Sequence, residues 1–227
     1  GEYKYIKLNK IMSQMSSKYD LIINSNNVLA GIYNGKNFLH YIHFPREARV
    51  LTEYNNSVYK SKLLNNIFRK LYKPYLTKID IGQGIIVNSD FSCKAAERAY
   101  QLHHGNCDIM YPPITIDNFD KKGMKEKKDT VISVGRFSRE KKQFMQIKIA
   151  EKLPQLKFVI CGYTSNKVSN DYFNFCNSYV KKNDIKNVLL KKNVPSSELT
   201  EIHRTSKFFL HTMQEEPFGI STVEAIL

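Results

Sequence analysis

Eight short apolar runs punctuate this chain, separated by longer stretches of helical periodicity, and that alternation limits the fold more than any other feature. The runs occupy residues 20–24, 38–43, 84–88 and 108–111, then 130–134, 157–161, 187–190 and 207–211. Each is β-branched or aromatic and lacks polar alternation, which is how strands covered on both faces read. Helix-length stretches lie between them, notably 89–103, 141–153 and 170–182. Strand–helix–strand repetition predicts parallel sheets built from right-handed βαβ units. The pattern breaks at Pro112 and Pro113, and residues 114–128 are polar, charged and poor in core residues. That break predicts a boundary between two doubly wound α/β domains, 1–113 and 114–227. Such sheets bind ligands beyond the carboxyl ends of their strands, so the site is expected in a cleft between the domains.

Bulk properties narrow the partners. With 42% hydrophobic and 25% charged residues the chain is globular in type, and its 35 Lys and Arg against 21 Asp and Glu leave a net charge of +14. A surplus of that size favours anionic partners: nucleic acid, anionic lipid or a phosphorylated small molecule. No helix-turn-helix, zinc, RNP-type or KH signature supports nucleic-acid binding. Cys93, Cys107, Cys161 and Cys176 form no C-x-x-C pair and have no His at zinc spacing, so no metal site is expected and the thiols read as reduced and cytosolic. No signal peptide and no apolar run of about 20 residues is present. The start at Gly1 and the unterminated helical pattern of 219–227 read as a truncated chain.

Two segments carry the chemistry. In Glu216-Pro-Phe-Gly-Ile-Ser-Thr-Val-Glu224, Gly219 permits a close turn at a helix start. The free N–H groups from Ile220 through Ser221 to about Thr222 then favour a phosphate. Glu216 precedes the helix and Glu224 lies more than one turn inside it. A ligand across the helix start would reach both, and a carboxylate accepts two hydrogen bonds from a vicinal diol, in a sugar or a ribose. An acidic first turn that only complements the helix dipole reads the same in isolation. The second segment, Gly135-Arg136-Phe-Ser-Arg-Glu-Lys141, follows the first strand of the second domain. Arg136 and Lys141 are either solvated surface cations or a fixed pair able to stabilise a leaving nucleoside diphosphate without a metal.

Together these segments resemble the family-4, or group 1, retaining glycosyltransferases of the GT-B fold, two Rossmann-like domains facing a cleft. Residues 158–162 and 87–92 also stand in the expected places, and the resemblance covers most of the chain. The segments ending at Pro45 and Pro113 most resemble the mannosyltransferases that extend dolichol-linked oligosaccharides from GDP-mannose. The resemblance implies a metal-independent enzyme with no cofactor beyond its nucleotide-sugar donor, GDP-mannose or a UDP-sugar, and a glycan or lipid-linked acceptor. It implies that Arg136, Lys141 and the helix start at Gly219, Ile220 and Ser221 bind the donor pyrophosphate. Glu216 then contacts the transferred sugar, Glu224 the ribose, and His43 orients the acceptor hydroxyl or takes its proton. Two positions depart from the pattern: Lys142 stands where relatives often have Gly, and residues 190–193 lack the Gly usual after the third strand of the second domain. A catalytically silent GT-B-like interaction module and a basic nucleic-acid-binding protein are the alternatives.

Residues 58–75 place Leu63, Leu64, Ile67, Phe68 and Leu71 at helical spacing among Lys60, Lys62, Arg69, Lys70 and Lys73. Such a helix either packs on its own sheet with snorkelling lysines or lies on an anionic membrane. The second reading places the protein peripherally on the cytoplasmic membrane face.

Overall fold

The computed structural model describes residues 11, 14–25, 37–45, 85–100, 105, 107–114 and 126–227. The basic segment 58–75 lies outside them. The chain divides into two compact units, Gly1–Pro112 and Pro113–Leu227, each with its own four-stranded sheet.

In the first unit β1 (Ile22–Asn24), β2 (Phe38–Ile42), β3 (Ile85–Val87) and β4 (Cys107–Ile109) lie side by side in chain order, all parallel. The helix α1 (Asp90–Tyr100) follows β3 and turns Cys93, Ala96, Ala99 and Tyr100 inward, at the spacing of one helix face. These pack with Ile42, Phe44, Ile85 and Val87 into one core. Ser92 anchors the turn after β2 from beneath. Its hydroxyl lies 2.8 Å from the His43 carbonyl and 2.7 Å from Asn88 Oδ1. One buried hydroxyl, shared between the two acceptors, thereby sits between the exits of β2 and β3.

The second unit is regular. Its strands are β5 (Lys128–Val134), β6 (Lys157–Gly162), β7 (Val188–Lys192) and β8 (Ser206–Phe209). All pair in parallel, in the order β7-β6-β5-β8. β5 and β6 each bury four consecutive residues, as expected for strands covered on both faces. Around them run α2 (Gln143–Glu151), α3 (Lys167–Lys182), α4 (Ser196–Thr205) and α5 (Ile220–Ile226). The spacing predicts α2 from residue 141; it starts later because Arg139–Lys141 form a 3-10 turn and Lys142 adopts left-handed backbone (φ 56°). The predicted start of α3 at 170 moves back to 167. There the Asn166 side chain accepts from the Ser169 N–H while the Asn166 N–H donates to Ser169 Oγ, a reciprocal cap. The helix α4 lies between β7 and β8, outside the helix-length stretches named from the sequence.

The order of the second sheet has a consequence for ligands. The chain runs from β5 outward through β6 to β7, then returns to the other side of β5 as β8. The loops leaving β5 and β8 therefore start from adjacent parallel strands at the point where the strand order reverses. Open α/β sheets present their ligand crevice at such a reversal.

Candidate functional site

The loop after β5 is built to be rigid. Gly135 N–H donates to the Cys161 carbonyl at 3.1 Å, and Phe137 N–H to the Tyr163 carbonyl at 3.2 Å. Phe137 has no exposed surface and meets Phe173 of α3 edge to face, with ring centroids 4.9 Å apart. Buried Gln143, at the start of α2, closes the loop from below. Its Nε2 donates to the Arg136 carbonyl at 2.8 Å, and its Oε1 accepts from the Ser138 N–H at 3.3 Å. The segment that carries Arg136 and Lys141 thus has its backbone held by the sheet, the core and a buried amide.

Lys141 and Arg136 then go different ways. The Lys141 side chain lies along Gly135, where an added Cβ would stand 3.6 Å from its Cδ, and its ammonium donates to Glu216 Oε2. Both partners are about four-fifths buried. His211 Nε2 stands 3.5 Å from the same carboxylate oxygen. Arg136 is more exposed and pairs with Glu140 of its own loop at 2.6 Å. The structure therefore brings Lys141 to the Glu216 segment, 75 residues along the chain, while the Arg136 guanidinium is occupied locally.

The loop after β8 carries the acid and the helix start. Glu215 (φ 54°) and Gly219 (φ 81°) are both left-handed, so the segment turns sharply twice within five residues. A Cβ on Gly219 would sit 3.2 Å from Glu216 Cγ and 3.3 Å from Thr222 Oγ1. Glycine is needed at this position for conformation and for space alike. Thr222 and Val223 both donate their N–H to the Gly219 carbonyl, at 2.9 and 3.1 Å. That withdraws Thr222 from the donors expected at the helix start and leaves the amides of Ile220 and Ser221 as those the helix does not use itself. Glu224 lies one turn further on, and partial burial pushes its carboxyl above the usual range.

The two departures at glycine positions have a structural answer. Lys142 and Asn193 are both left-handed (φ 56° and 55°), so the backbone keeps the form that favours glycine. Asn193 tolerates it because its Oδ1 accepts from the Thr164 N–H at 2.9 Å while its own N–H donates to the Gly162 carbonyl at 2.8 Å. Lys142 reaches back to Gln214 Oε1 at 2.8 Å.

Several residues of this arrangement gave no functional signal in the sequence. Gln143 and Gln146 are buried on the same face of α2 as Ile147 and Ala150, so polar residues at core spacing were the trace they left. Gln146 Nε2 donates to Thr212 Oγ1, which in turn donates to the Lys141 carbonyl, both at 2.8 Å. His211 and Thr212 belong to a strand exit whose residue types carry no motif. In the first unit His43 follows β2 as an exposed side chain, its ring edge-on to Tyr41 at 5.1 Å. The four cysteines are free thiols, and burial pushes Cys107 up to about 12 and Cys161 and Cys176 up to about 11. Among the described residues no group of three or more His, Cys, Asp or Glu could hold a metal ion. Likewise, none of their helices is long and apolar enough to cross a membrane.

Comparison with known proteins identifies what the chain is similar to. Residues 115–227 match the family described as glycosyl transferases group 1. A human GDP-Man:Man(3)GlcNAc(2)-PP-Dol alpha-1,2-mannosyltransferase is 31% identical over 157 residues, covering 63% of this chain and 32% of that protein. The chain thus spans about a third of that relative's length. Among solved structures, WaaG, a glycosyltransferase involved in lipopolysaccharide biosynthesis, superimposes with a TM-score of 0.62 at 14% identity, over 95% of this chain and 60% of the other. HepE from Anabaena, in complex with UDP and glucose, gives 0.60 at 16% identity, over 96% and 59%. At these identities the superpositions speak for the fold, which is that of the GT-B glycosyltransferases.

Proposed function

We propose that this protein, whose residues 115–227 match the group 1 glycosyltransferase family, moves a mannosyl group from GDP-mannose to a glycan or lipid-linked acceptor, with retention of configuration and without a metal. The observation that carries the reading is the pairing of Lys141 with Glu216 beside Gly219, where the loops from β5 and β8 meet. A sugar diphosphate is a ligand with an anion at one end and a row of hydroxyls at the other. It exchanges the internal pair for two external ones. The diphosphate takes the Lys141 ammonium, and Glu216 accepts hydrogen bonds from the hydroxyls of the transferred sugar.

The chemistry follows from charge. As the glycosidic bond breaks, negative charge grows on the leaving diphosphate. Lys141 and the amides of Ile220 and Ser221 are fixed donors that need no reorganisation to meet it. Arg136 adds a second cation when a phosphate outcompetes Glu140 for its guanidinium. Glu224 receives the ribose diol. From the first unit the reading takes His43, whose imidazole orients the acceptor hydroxyl or accepts its proton. Identity of about 30% to a dolichol-pathway enzyme supports mannose and a lipid-linked acceptor over other pairs.

Thermal-shift titration with GDP-mannose, UDP-glucose, UDP-N-acetylglucosamine, GDP and UDP tests the proposal. GDP-mannose is expected to raise the melting temperature most, GDP less, and Lys141→Ala or Glu224→Gln to remove both shifts. A chain that responds to none of the five at millimolar concentration is not a transferase of this kind, and the silent interaction module then becomes the better reading.

A further inference from the structure

The loops that carry Lys141 and Glu216 are joined at the backbone by a single hydroxyl. Thr212 Oγ1 donates to the Lys141 carbonyl at 2.8 Å and accepts from Gln146 Nε2 at 2.8 Å. Gln146 is 2% exposed and held by α2. Its amide orientation decides the direction of the relay. A hydroxyl has one proton. With the Gln146 NH2 facing it, Thr212 is free to spend that proton on the Lys141 carbonyl. With the amide reversed, two acceptors would compete for it.

Thr212 stands four residues before Glu216, and the carbonyl it holds belongs to Lys141 itself. The relay therefore links the backbone of the cation to the backbone of the acid. Beside the Lys141–Glu216 pair itself, Lys142 also reaches Gln214, but that contact is exposed and made by long side chains, so it holds little. Lys141 also lies at the end of a one-turn 3-10 segment, followed at once by the left-handed Lys142. The Thr212 hydroxyl gives the last carbonyl of that turn a partner within the protein.

We propose that Thr212 is a positioning residue: its hydroxyl, oriented by Gln146, sets how far the Lys141 ammonium stands from the Glu216 carboxylate. The inference rests on the donor reading above only for what the pair binds; the tie itself is measurable without ligand. The step involves no bond making or breaking. It determines whether one ligand meets both charges at once, and a displacement of about 1 Å in such a constellation is costly to catalysis.

The first readout is the reactivity of the Lys141 amine in the full chain without ligand. Trace acetylation, followed by peptide mass spectrometry, reports each lysine separately. In Thr212→Val, which keeps the shape and removes the hydroxyl, Lys141 is expected to label about five- to tenfold faster. Exposed Lys157 and Lys207 serve as controls and keep their rates. Thr212→Ser restores the wild-type rate, and Gln146→Met, which removes the orienting amide, gives an intermediate one. In a Glu216→Gln background, where Lys141 is already released, Thr212→Val adds nothing further. An unchanged Lys141 rate in Thr212→Val overturns the inference. So does a rise shared by Lys157 and Lys207, which reports general loosening, or a failure of serine to rescue.

The second readout is GDP affinity at 10 °C, expected to weaken about tenfold in Thr212→Val and to return in Thr212→Ser. A wild-type chain with the expected labelling pattern and no GDP binding leaves the tie standing and removes the donor reading instead. Unaltered GDP affinity in a variant whose Lys141 labels faster overturns the claim that the tie serves the site.

Discussion

Gly135 opens the loop that carries Arg136 and Lys141, yet the structure predicts that Gly162, at the end of β6, is the glycine that cannot be replaced. A Cβ on Gly162 would lie 2.2 Å from the Gly135 carbonyl oxygen and 2.9 and 3.0 Å from the Phe137 ring. Relief to an ordinary contact of about 3.5 Å needs a displacement of more than about 1 Å. The atoms in the way are backbone and a core ring, neither of which yields cheaply. Moving them breaks the bonds from Gly135 N–H to Cys161 and from Phe137 N–H to Tyr163, and unseats Phe137 from the core. Overpacking costs about 1–3 kcal/mol, and two hydrogen bonds add about 0.5–1.5 kcal/mol each. Gly162→Ala should therefore cost about 2–6 kcal/mol, a large share of a stability of about 5–15 kcal/mol. A Cβ on Gly135, by contrast, meets only the flexible Lys141 chain at 3.6–3.8 Å, so Gly135→Ala should cost less than about 1 kcal/mol. The assay is native-state hydrogen exchange of β6 amides across a urea series, which reads the second unit without assuming that both units unfold together. Equal protection losses in the two variants, or a Gly162→Ala loss within about 0.5 kcal/mol of zero, would refute the close-approach reasoning.

Other expectations follow from single residues. Because the Glu224 carboxyl is raised in the folded state, the fold binds its proton more tightly than the unfolded chain does, and stability falls as pH rises through the ordinary carboxyl range. Glu224→Gln should thus raise urea resistance at pH 7 while abolishing nucleotide binding; a destabilised variant would contradict the assignment. Burial holds His40 at about 4, with its Nδ1 3.1 Å from Asn24 Nδ2. Its contribution is complete above about pH 6.5 and is lost as pH falls towards 4, by about 3 kcal/mol. Urea midpoints between pH 7 and 4 should therefore drop in the wild type and flatten in His40→Gln. At Lys142 the left-handed backbone costs a side chain about 1–2 kcal/mol, partly offset by the unfolded-state entropy of glycine. Lys142→Gly is expected to be neutral to stabilising by about 1 kcal/mol and Lys142→Val to be destabilising; the reverse order in thermal melts would rule out strain at this position.

The parts of this protein legible in its sequence are those set by neighbours along the chain. All eight apolar runs became strands, although only β5 and β6 are buried on both faces as a continuous apolar run predicts; β1, β4, β7 and β8 leave part of their length exposed. The glycine in the Glu216–Glu224 segment marked the turn into α5 for an equally local reason, the positive φ at Gly219. The residues in contact across the site are another matter. Lys141 meets Glu216 across 75 positions and Thr212 meets Lys141 across 71. Those contacts exist because β8 returns beside β5, an order that strand-forming patterns do not encode. Core spacing on α2 hints that Gln143 and Gln146 are buried, but not what their amides hold, nor that the Arg136 guanidinium is held by Glu140 while the Lys141 ammonium crosses to the acid. Local sterics and burial write the elements into the chain; which side chains share a charge is decided only when the sheet brings distant loops together.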